Sequence, residues 1–157
     1  MSVSTLPKLT SNPSDNAIIE DALRILSDRI TMPDTYVTGP SDIKNYLKLK
    51  LSEFGHEVFS VIYLDTRHGV IRYEEVFRGT IDGASVYPRE VVKDALACNA
   101  AAVIFCHNHP SGISEPSNAD EVITRKLKDA LALVGVRVLD HLIVGEDITS
   151  MAERGLL

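Results

Sequence analysis

Apolar residues in the first third of the chain repeat at helical spacing. A first helix is predicted from Asp15 because these positions fall mostly on one face: Ala17, Ile18, Ala22, Ile25, Leu26 and Ile30. Met32-Pro33 ends that pattern, since proline disfavours the helical conformation of the residue before it. Ser41 and Asp42 are typical of the cap of a second helix, which we expect to reach about Leu51. Residues 1–14 have no such period and are predicted to form a loose tail.

Beyond Gly55 the helical spacing gives way to short, dense apolar runs. These runs predict strands over 57–65, 70–80, 101–107 and 136–144, and the chain from Thr149 can add a fifth. Helices are predicted over 88–99 and 118–134, with a turn at 67–69 and a loop over 108–117. We therefore expect an α/β or α+β fold with a mixed sheet flanked by helices. The expected organisation is a tail (1–14), an N-terminal helical segment (15–39) and one domain (40–157).

Composition and charge fit a single globular domain inside the cell. The chain has 157 residues, of which 45% are hydrophobic and 24% charged. Its net charge of −6 does not favour nucleic-acid binding through phosphate contacts. The N-terminus lacks the apolar stretch of a secretory signal, no apolar run reaches the roughly 20 residues of a membrane span, and two cysteines make no disulfide scaffold. We expect a cytoplasmic protein.

The residues with the most chemical information follow the third predicted strand. His107 and His109 stand two positions apart, so on an extended backbone both imidazoles project to one side, and Cys106 projects to the other. Asp120 lies in the first turn of the next predicted helix, and the loop between them can fold it back to the histidines. Two histidines and one carboxylate leave tetrahedral Zn²⁺ one open position for water, which is the pattern of catalytic zinc sites.

Each part of this group has another interpretation when it is taken alone. An isolated His-x-His pair is weak support for a metal site. Ser117 and Asp120 also fit a helix capping box in which Asp replaces Glu or Gln. Capping and metal binding do not compete, however, and the order of strand end, His-x-His-Pro, short loop, Ser and Asp favours a metal site.

The motifs resemble those of a known family. His107-x-His109, seven residues, then Ser117-x-x-Asp120 is similar to the motif of JAMM (JAB/MPN+) metalloproteases. The wider pattern resembles the RadC-like branch, with HEVFSVIYLD at 56–65, GTIDGASVYPREVVKDAL at 79–96, HNHPSG at 107–112 and LDHLIVGED at 139–147. The resemblance covers roughly residues 40–157. It implies a JAB/MPN-like fold, similar to that of cytidine deaminases.

The resemblance also implies roles for particular residues. The matches of His107, His109 and Asp120 bind zinc in that family, and the match of Ser117 stabilises an oxyanion. A glutamate on an earlier strand is the general acid and base, and Glu57 is the position that fits. From the residues alone, Glu53, His56 and Glu74 are its rivals. Asp140-His141 lies in a predicted buried strand, where a histidine usually serves as a satisfied hydrogen-bonding group.

Three functions follow from these observations. We favour a zinc metallohydrolase that cleaves peptide or isopeptide bonds in a protein or peptide substrate. A factor in DNA repair or recombination, as a nuclease or a nucleic-acid-binding protein, and a non-catalytic scaffold stabilised by zinc are the alternatives. The helix-hairpin-helix segment of longer RadC-like proteins is expected to be absent, and the chain resembles short versions carried on mobile elements. The sequence sets no oligomeric state.

Overall fold

The computed structural model of the protein describes residues 12–31, 40–79 and 86–157. Within these ranges the chain alternates helices and strands around one sheet. The helices are α1 (Pro13–Thr31), α2 (Pro40–Leu51), α3 (Pro88–Ala97) and α4 (Asn118–Ala132). The strands are β1 (Val58–Leu64), β2 (Val70–Arg78), β3 (Ala102–Asn108), β4 (Arg137–Val144) and β5 (Ile148–Ser150). The predicted order of elements and the mixed α/β class are confirmed.

The first two helices begin earlier than predicted. α1 begins at Pro13, so Pro13 and Ser14 belong to a helix and not to the expected tail. α2 begins at Pro40, which places the predicted cap Ser41 inside the helix. The physical reason is the same in both cases, because proline has no N–H to lose and its φ angle suits the first helical position. A Pro-Ser-Asp sequence opens each of these helices.

Some predictions fall outside the described residues. These are residues 1–11 of the expected tail, the helix end at Met32-Pro33, and Thr80 at the end of the second predicted strand. The division into a tail, a helical segment and a domain from residue 40 stays a prediction.

The sheet has the order β2-β1-β3-β4-β5. β1 is antiparallel to both of its neighbours, β3 and β4 are parallel, and β5 is antiparallel to β4. Parallel neighbours need a crossover, and α4 supplies it between β3 and β4. The first turn of α4 therefore follows the carboxyl end of β3 after a loop of nine residues, 109–117.

Two apolar clusters lie on opposite faces of the sheet. On one face α3 and α4 cover alternate residues of β1 and β3, among them Phe59 and Phe105. On the other face α2 covers the intervening residues, among them Ile62 and Cys106. α1 packs on α2, and none of its side chains described by the structure, which end at Asp28, belongs to either cluster. The side on which a β3 side chain lies thus decides which helices it meets.

A close approach of two backbone segments holds the loop after β3 in place. His109 N–H donates to the Val144 carbonyl at 2.8 Å, and Glu146 N–H donates to the Gly112 carbonyl at 2.8 Å. A Cβ atom at Gly145 would collide with that same Gly112 carbonyl, so glycine is required there. The loop is therefore attached to the end of β4 by its own backbone.

Candidate metal centre

Three polar side chains converge where β3 ends and α4 begins. His107 Nε2 lies 2.9 Å from His109 Nε2 and 3.1 Å from Asp120 Oδ1, and His109 Nε2 lies 3.4 Å from Asp120 Oδ2. His107 is fully buried, Asp120 is 2% exposed, and the His109 side chain is 14% exposed. The group is thus enclosed on the protein side and reaches solvent beside His109.

Asp120 is held in place by the start of its own helix. The Ser117 hydroxyl accepts from Asp120 N–H at 3.2 Å, and the Ser117 N–H and hydroxyl each donate to Asp120 Oδ2 at 2.7 Å. These bonds form a capping box, as the sequence predicted for this pair. Oδ2 carries both Ser117 bonds, which leaves Oδ1 directed at His107.

The electrostatics of the group reflect its close charges. Burial of Asp120 opposes its ionisation, but the adjacent His107 and His109 and the hydrogen bonds from Ser117 outweigh burial and hold its pKa well below the usual range. The pKa of His109 is raised, chiefly by its contact with Asp120, against the opposing effect of burial. The Ile113 carbonyl and the charge of Glu57 raise it further.

Both histidines direct Nε2 into the group because their Nδ1 atoms have partners elsewhere. His109 Nδ1 lies 2.7 Å from the Ile113 carbonyl oxygen, which can only accept, so Nδ1 carries a proton. His107 Nδ1 lies 2.8 Å from Nε2 of His141 on β4. His141 Nδ1 in turn lies 2.6 Å from the Thr124 hydroxyl on α4. Burial, and then the neighbouring His107, lower the pKa of His141 well below its ordinary value.

The three side chains fit a small divalent metal ion. Each offers a ligand atom, and these atoms lie within 4.8 Å of one another. A tetrahedral ion with bonds of about 2.0–2.1 Å sets its ligands about 3.3 Å apart. The two Nε2 atoms lie 2.9 Å apart, and each has one Asp120 oxygen near that distance, Oδ1 at 3.1 Å from His107 and Oδ2 at 3.4 Å from His109. Two imidazoles and one carboxylate also suit zinc and leave a fourth position open.

Glu57 immediately precedes β1 and is half-buried. The pairing of β1 with β3 ends at Phe59 opposite His107. Glu57 lies two residues before Phe59 and His109 two residues after His107, so on extended backbones both would project to the same side as that pair. The charge of Glu57 contributes to the raised pKa of His109, which is consistent with Glu57 lying near that histidine.

The register favours Glu57 over its three rivals. Glu53 lies exposed in the turn after α2, and His56 is exposed and precedes Glu57 by one residue, so it projects differently. Glu74 pairs with Val61, which is four residues along β1 from Glu57. That separation is about 14 Å at a rise of about 3.4 Å per residue.

The segment before β1 is attached to β3 through Asn108, the residue between the two histidines. Asn108 Oδ1 accepts from Val58 N–H at 2.7 Å, and its Nδ2 donates to the His56 carbonyl at 2.9 Å. A third, longer bond at 3.4 Å reaches the Phe54 carbonyl. Asn108 therefore binds the backbone on both sides of Glu57.

Comparison with known proteins assigns the family. Residues 37–156 match the family described as "RadC-like JAB domain". The chain belongs to the RadC-like JAB domain family. It is 57% identical over 141 residues to a UPF0758 protein of Thioalkalivibrio sulfidiphilus, which covers 90% of this chain and 63% of the relative. It is 51% identical over 149 residues to a UPF0758 protein of Vibrio cholerae serotype O1, which covers 95% of this chain and 94% of the relative.

A third relative, a UPF0758 protein of Nitrosococcus oceani, is 58% identical over 142 residues and is covered over 63% of its own length. This RadC-like chain thus spans just under two thirds of the Thioalkalivibrio and Nitrosococcus relatives and nearly all of the Vibrio cholerae relative. The names of these relatives specify no reaction. Within residues 12–31, 40–79 and 86–157, no helix is both long and apolar enough to cross a membrane.

Sequence reasoning groups His107, His109, Ser117 and Asp120; in the structure the two histidines converge with Asp120, and Ser117 bonds Asp120. It missed the partners of His107 and the function of Asn108. His141 was interpreted as a satisfied core histidine, and it is buried and hydrogen-bonded as predicted. The hydrogen-bond partner of His141 is the candidate ligand His107. The parallel pairing of β3 with β4 brings the two histidines together, so a prediction of that pairing would have indicated the contact. Thr124 could have been found from its position four residues after Asp120, on the same helical face.

Proposed function

We propose that this protein is a zinc-dependent metallohydrolase that cleaves an amide bond in a protein or peptide substrate. His107, His109 and Asp120 hold the zinc ion, Glu57 is the general acid and base, and Ser117 stabilises the oxyanion. The observation that carries the proposal is the convergence of three ligand atoms within 4.8 Å, two of them on imidazoles whose other nitrogens are already bonded. Membership of the RadC-like JAB domain family supports it.

Zinc in such a site supplies a water whose pKa is lowered towards about 7 and an open position that polarises a carbonyl. The charge of Glu57 acts on His109, and a carboxylate beside the group can take a proton from the attacking water. The same carboxylate then hands the proton to the leaving nitrogen. One residue thus completes both proton transfers that amide hydrolysis needs.

Ser117 has two hydrogen-bonding groups, which the proposal assigns to different tasks. Its N–H donates to Asp120 Oδ2 and keeps that carboxylate oriented throughout the reaction. Its hydroxyl donates to the same oxygen at 2.7 Å and would turn towards the substrate oxyanion as negative charge develops. Removing one such donor typically costs about 10²–10³ in rate.

The substrate class follows from this chemistry and from charge. A single activated water beside one carboxylate suits peptide and isopeptide bonds. The net charge of −6 disfavours the alternative of a nucleic-acid substrate, which would be held through phosphate contacts. A scaffold that uses zinc only for stability requires neither an open coordination position nor a carboxylate at Glu57.

The test is hydrolysis of a peptide and isopeptide library by the zinc-loaded protein, with products identified by mass spectrometry. Glu57→Gln is expected to retain zinc and to lose at least about 100-fold in rate, since a positioned acid or base contributes about 10²–10⁴-fold. Glu53→Gln makes the same charge change at a nearby exposed residue and is expected to retain wild-type activity. Full activity of Glu57→Gln would remove Glu57 from the mechanism.

A further inference from the structure

A buried chain of hydrogen bonds leads from the backbone of α4 to the candidate ligand His107. The Thr124 hydroxyl donates to the Asp120 carbonyl at 2.6 Å and lies 2.6 Å from His141 Nδ1. His141 Nε2 lies 2.8 Å from His107 Nδ1. Thr124 is 1% exposed and both histidines are fully buried, so these groups exchange no hydrogen bonds with bulk water.

The contact between Thr124 and α4 determines which group donates and which accepts in each of these hydrogen bonds. A backbone carbonyl can only accept, so the single hydroxyl proton of Thr124 is used on Asp120. Two oxygen atoms 2.6 Å apart need a proton between them, and the carbonyl has none to give. The hydroxyl proton lies on this contact and not on the 2.6 Å contact with His141 Nδ1 or the 3.8 Å contact with the Met151 sulfur. The Thr124 oxygen therefore accepts, and the donor is the Nδ1–H of His141.

The second nitrogen of His141 is then an acceptor. A nitrogen that binds a metal ion carries no proton, so a neutral His107 that offers Nε2 as a ligand keeps its proton on Nδ1. His141 Nε2 lies 2.8 Å from that Nδ1 and accepts the proton in a hydrogen bond. The proton of the His141 ring is then the one on Nδ1 that is donated to Thr124.

We infer that Thr124 and His141 are positioning residues that fix the proton of His107 on Nδ1 and keep its Nε2 in the metal-binding form. The two candidate histidine ligands reach this form by different means. His109 donates directly to the Ile113 backbone carbonyl. His107 depends on two side chains before the chain ends at a backbone carbonyl. Of these two histidines, therefore, only His107 has a proton position that depends on side chains and can be changed by substituting them.

The inference rests on the metal site of the proposed function but not on its hydrolytic chemistry, so its test needs no substrate. Zn²⁺ affinity is measured by competition with a chromophoric chelator. Thr124→Val keeps the shape but removes the acceptor for His141 Nδ1–H. The proton of His141 can then move to Nε2 and force His107 into the form that cannot bind zinc through Nε2. Changes to the partners of metal ligands cost roughly 10- to 100-fold in affinity, and that loss is expected here.

Two variants separate positioning from a general loss of packing. Thr124→Ser restores the hydroxyl and is expected to bind zinc within about twofold of the wild type. Ser60→Ala removes another buried hydroxyl, which bonds the Cys106 carbonyl between β1 and β3, and should also leave affinity within about twofold. Equal affinity of Thr124→Val and the wild type would overturn the inference, as would an equal loss in Ser60→Ala.

The imidazole protons give a direct readout that does not depend on any variant. Long-range ¹H–¹⁵N correlation spectra of the zinc-loaded wild type should show His141 and His107 both protonated at Nδ1. A His141 proton on Nε2 would overturn the inference even if Thr124→Val failed to fold. A wild type that binds no zinc would instead overturn the proposed function, and this inference with it.

Discussion

The two faces of the sheet bury different kinds of side chain at the same end of β3. Cys106 lies on the face covered by α2, within an apolar cluster, and bonds only weakly to Ser60. The next residue, His107, lies on the face towards α4 and contacts His109, His141 and Asp120. Both Cys106 and His107 are fully buried. Burial alone therefore does not distinguish the functional face from the structural face.

The difference lies in which polar groups accompany the buried atom. Burial raises the pKa of the Cys106 thiol to about 12, because its surroundings are apolar and its one partner, Ser60, offsets little of that effect. Burial acts in the same direction on Asp120, but three hydrogen-bonding neighbours reverse the result and keep its carboxylate ionised. A buried group becomes a candidate ligand when it has preorganised polar partners.

The largest expected effect comes from replacing one residue on each face of the sheet with alanine. His107→Ala should weaken zinc binding by at least roughly 100-fold, more than a change to a ligand's partner costs. Cys106→Ala should leave zinc affinity within about twofold and lower the free energy of unfolding by about 1 kcal/mol. Chelator competition and urea unfolding measure the two quantities. Similar zinc affinities for the two variants would erase the distinction between the faces.

A smaller effect is expected at Asn108, which connects β3 to the segment that carries Glu57. Asn108→Ala leaves the buried Val58 N–H without its acceptor and should cost about 1–3 kcal/mol in the free energy of unfolding. Zinc affinity should change by less than about threefold, because no candidate ligand is touched, whereas hydrolysis should fall with the loss of Glu57 placement.

Asn118→Ala provides the control for Asn108, since Asn118 is exposed at the first position of α4. The free energy of unfolding and the hydrolytic activity of the Asn118→Ala variant should both match those of the wild type. If Asn108→Ala retained full activity while its stability fell, Asn108 would support the fold alone.

The response of zinc affinity to pH tests the proton on His109. The raised pKa of His109 means that the metal-free protein holds a proton there more readily than an ordinary histidine, and zinc must displace it. Affinity should therefore fall by about tenfold per pH unit as pH drops below that pKa, and should level off above it. On the other face Cys106 stays neutral over this range. Chelator competition from pH 8 to pH 6 measures the slope, and a flat profile would exclude proton displacement.

Much of the fold could be predicted because local signals agreed with tertiary packing. The strand from Val58 to Leu64 is a dense apolar run buried on both faces, and α4 is bounded by Ser117 and by Gly135 at a φ of +75°. The two helix starts differ because the apolar period indicates the first helix only from Asp15, and Ser41 and Asp42 are typical of a cap for the second, whereas the preceding prolines already occupy the first helical turn.

The site was predictable where its residues are close in sequence. His107, His109, Ser117 and Asp120 fall within 14 positions, and strand alternation with helix capping fixes their relative directions. The contact of His107 with His141 depends instead on the pairing of β3 with β4, 34 residues apart. The attachment of Asn108 to β1 spans 50 residues. Such contacts follow from sheet order and register, which local patterns do not specify.

Metal content tests the site most directly. Elemental analysis of the wild type and of His109→Ala, purified in parallel and reconstituted with added zinc, should give about one zinc per chain in the wild type and little in the variant. His109 is the partly exposed ligand, and its removal leaves buried His107 with its own partners. Equally low zinc in both proteins after reconstitution would contradict the metal site, and with it the hydrolase proposed from it.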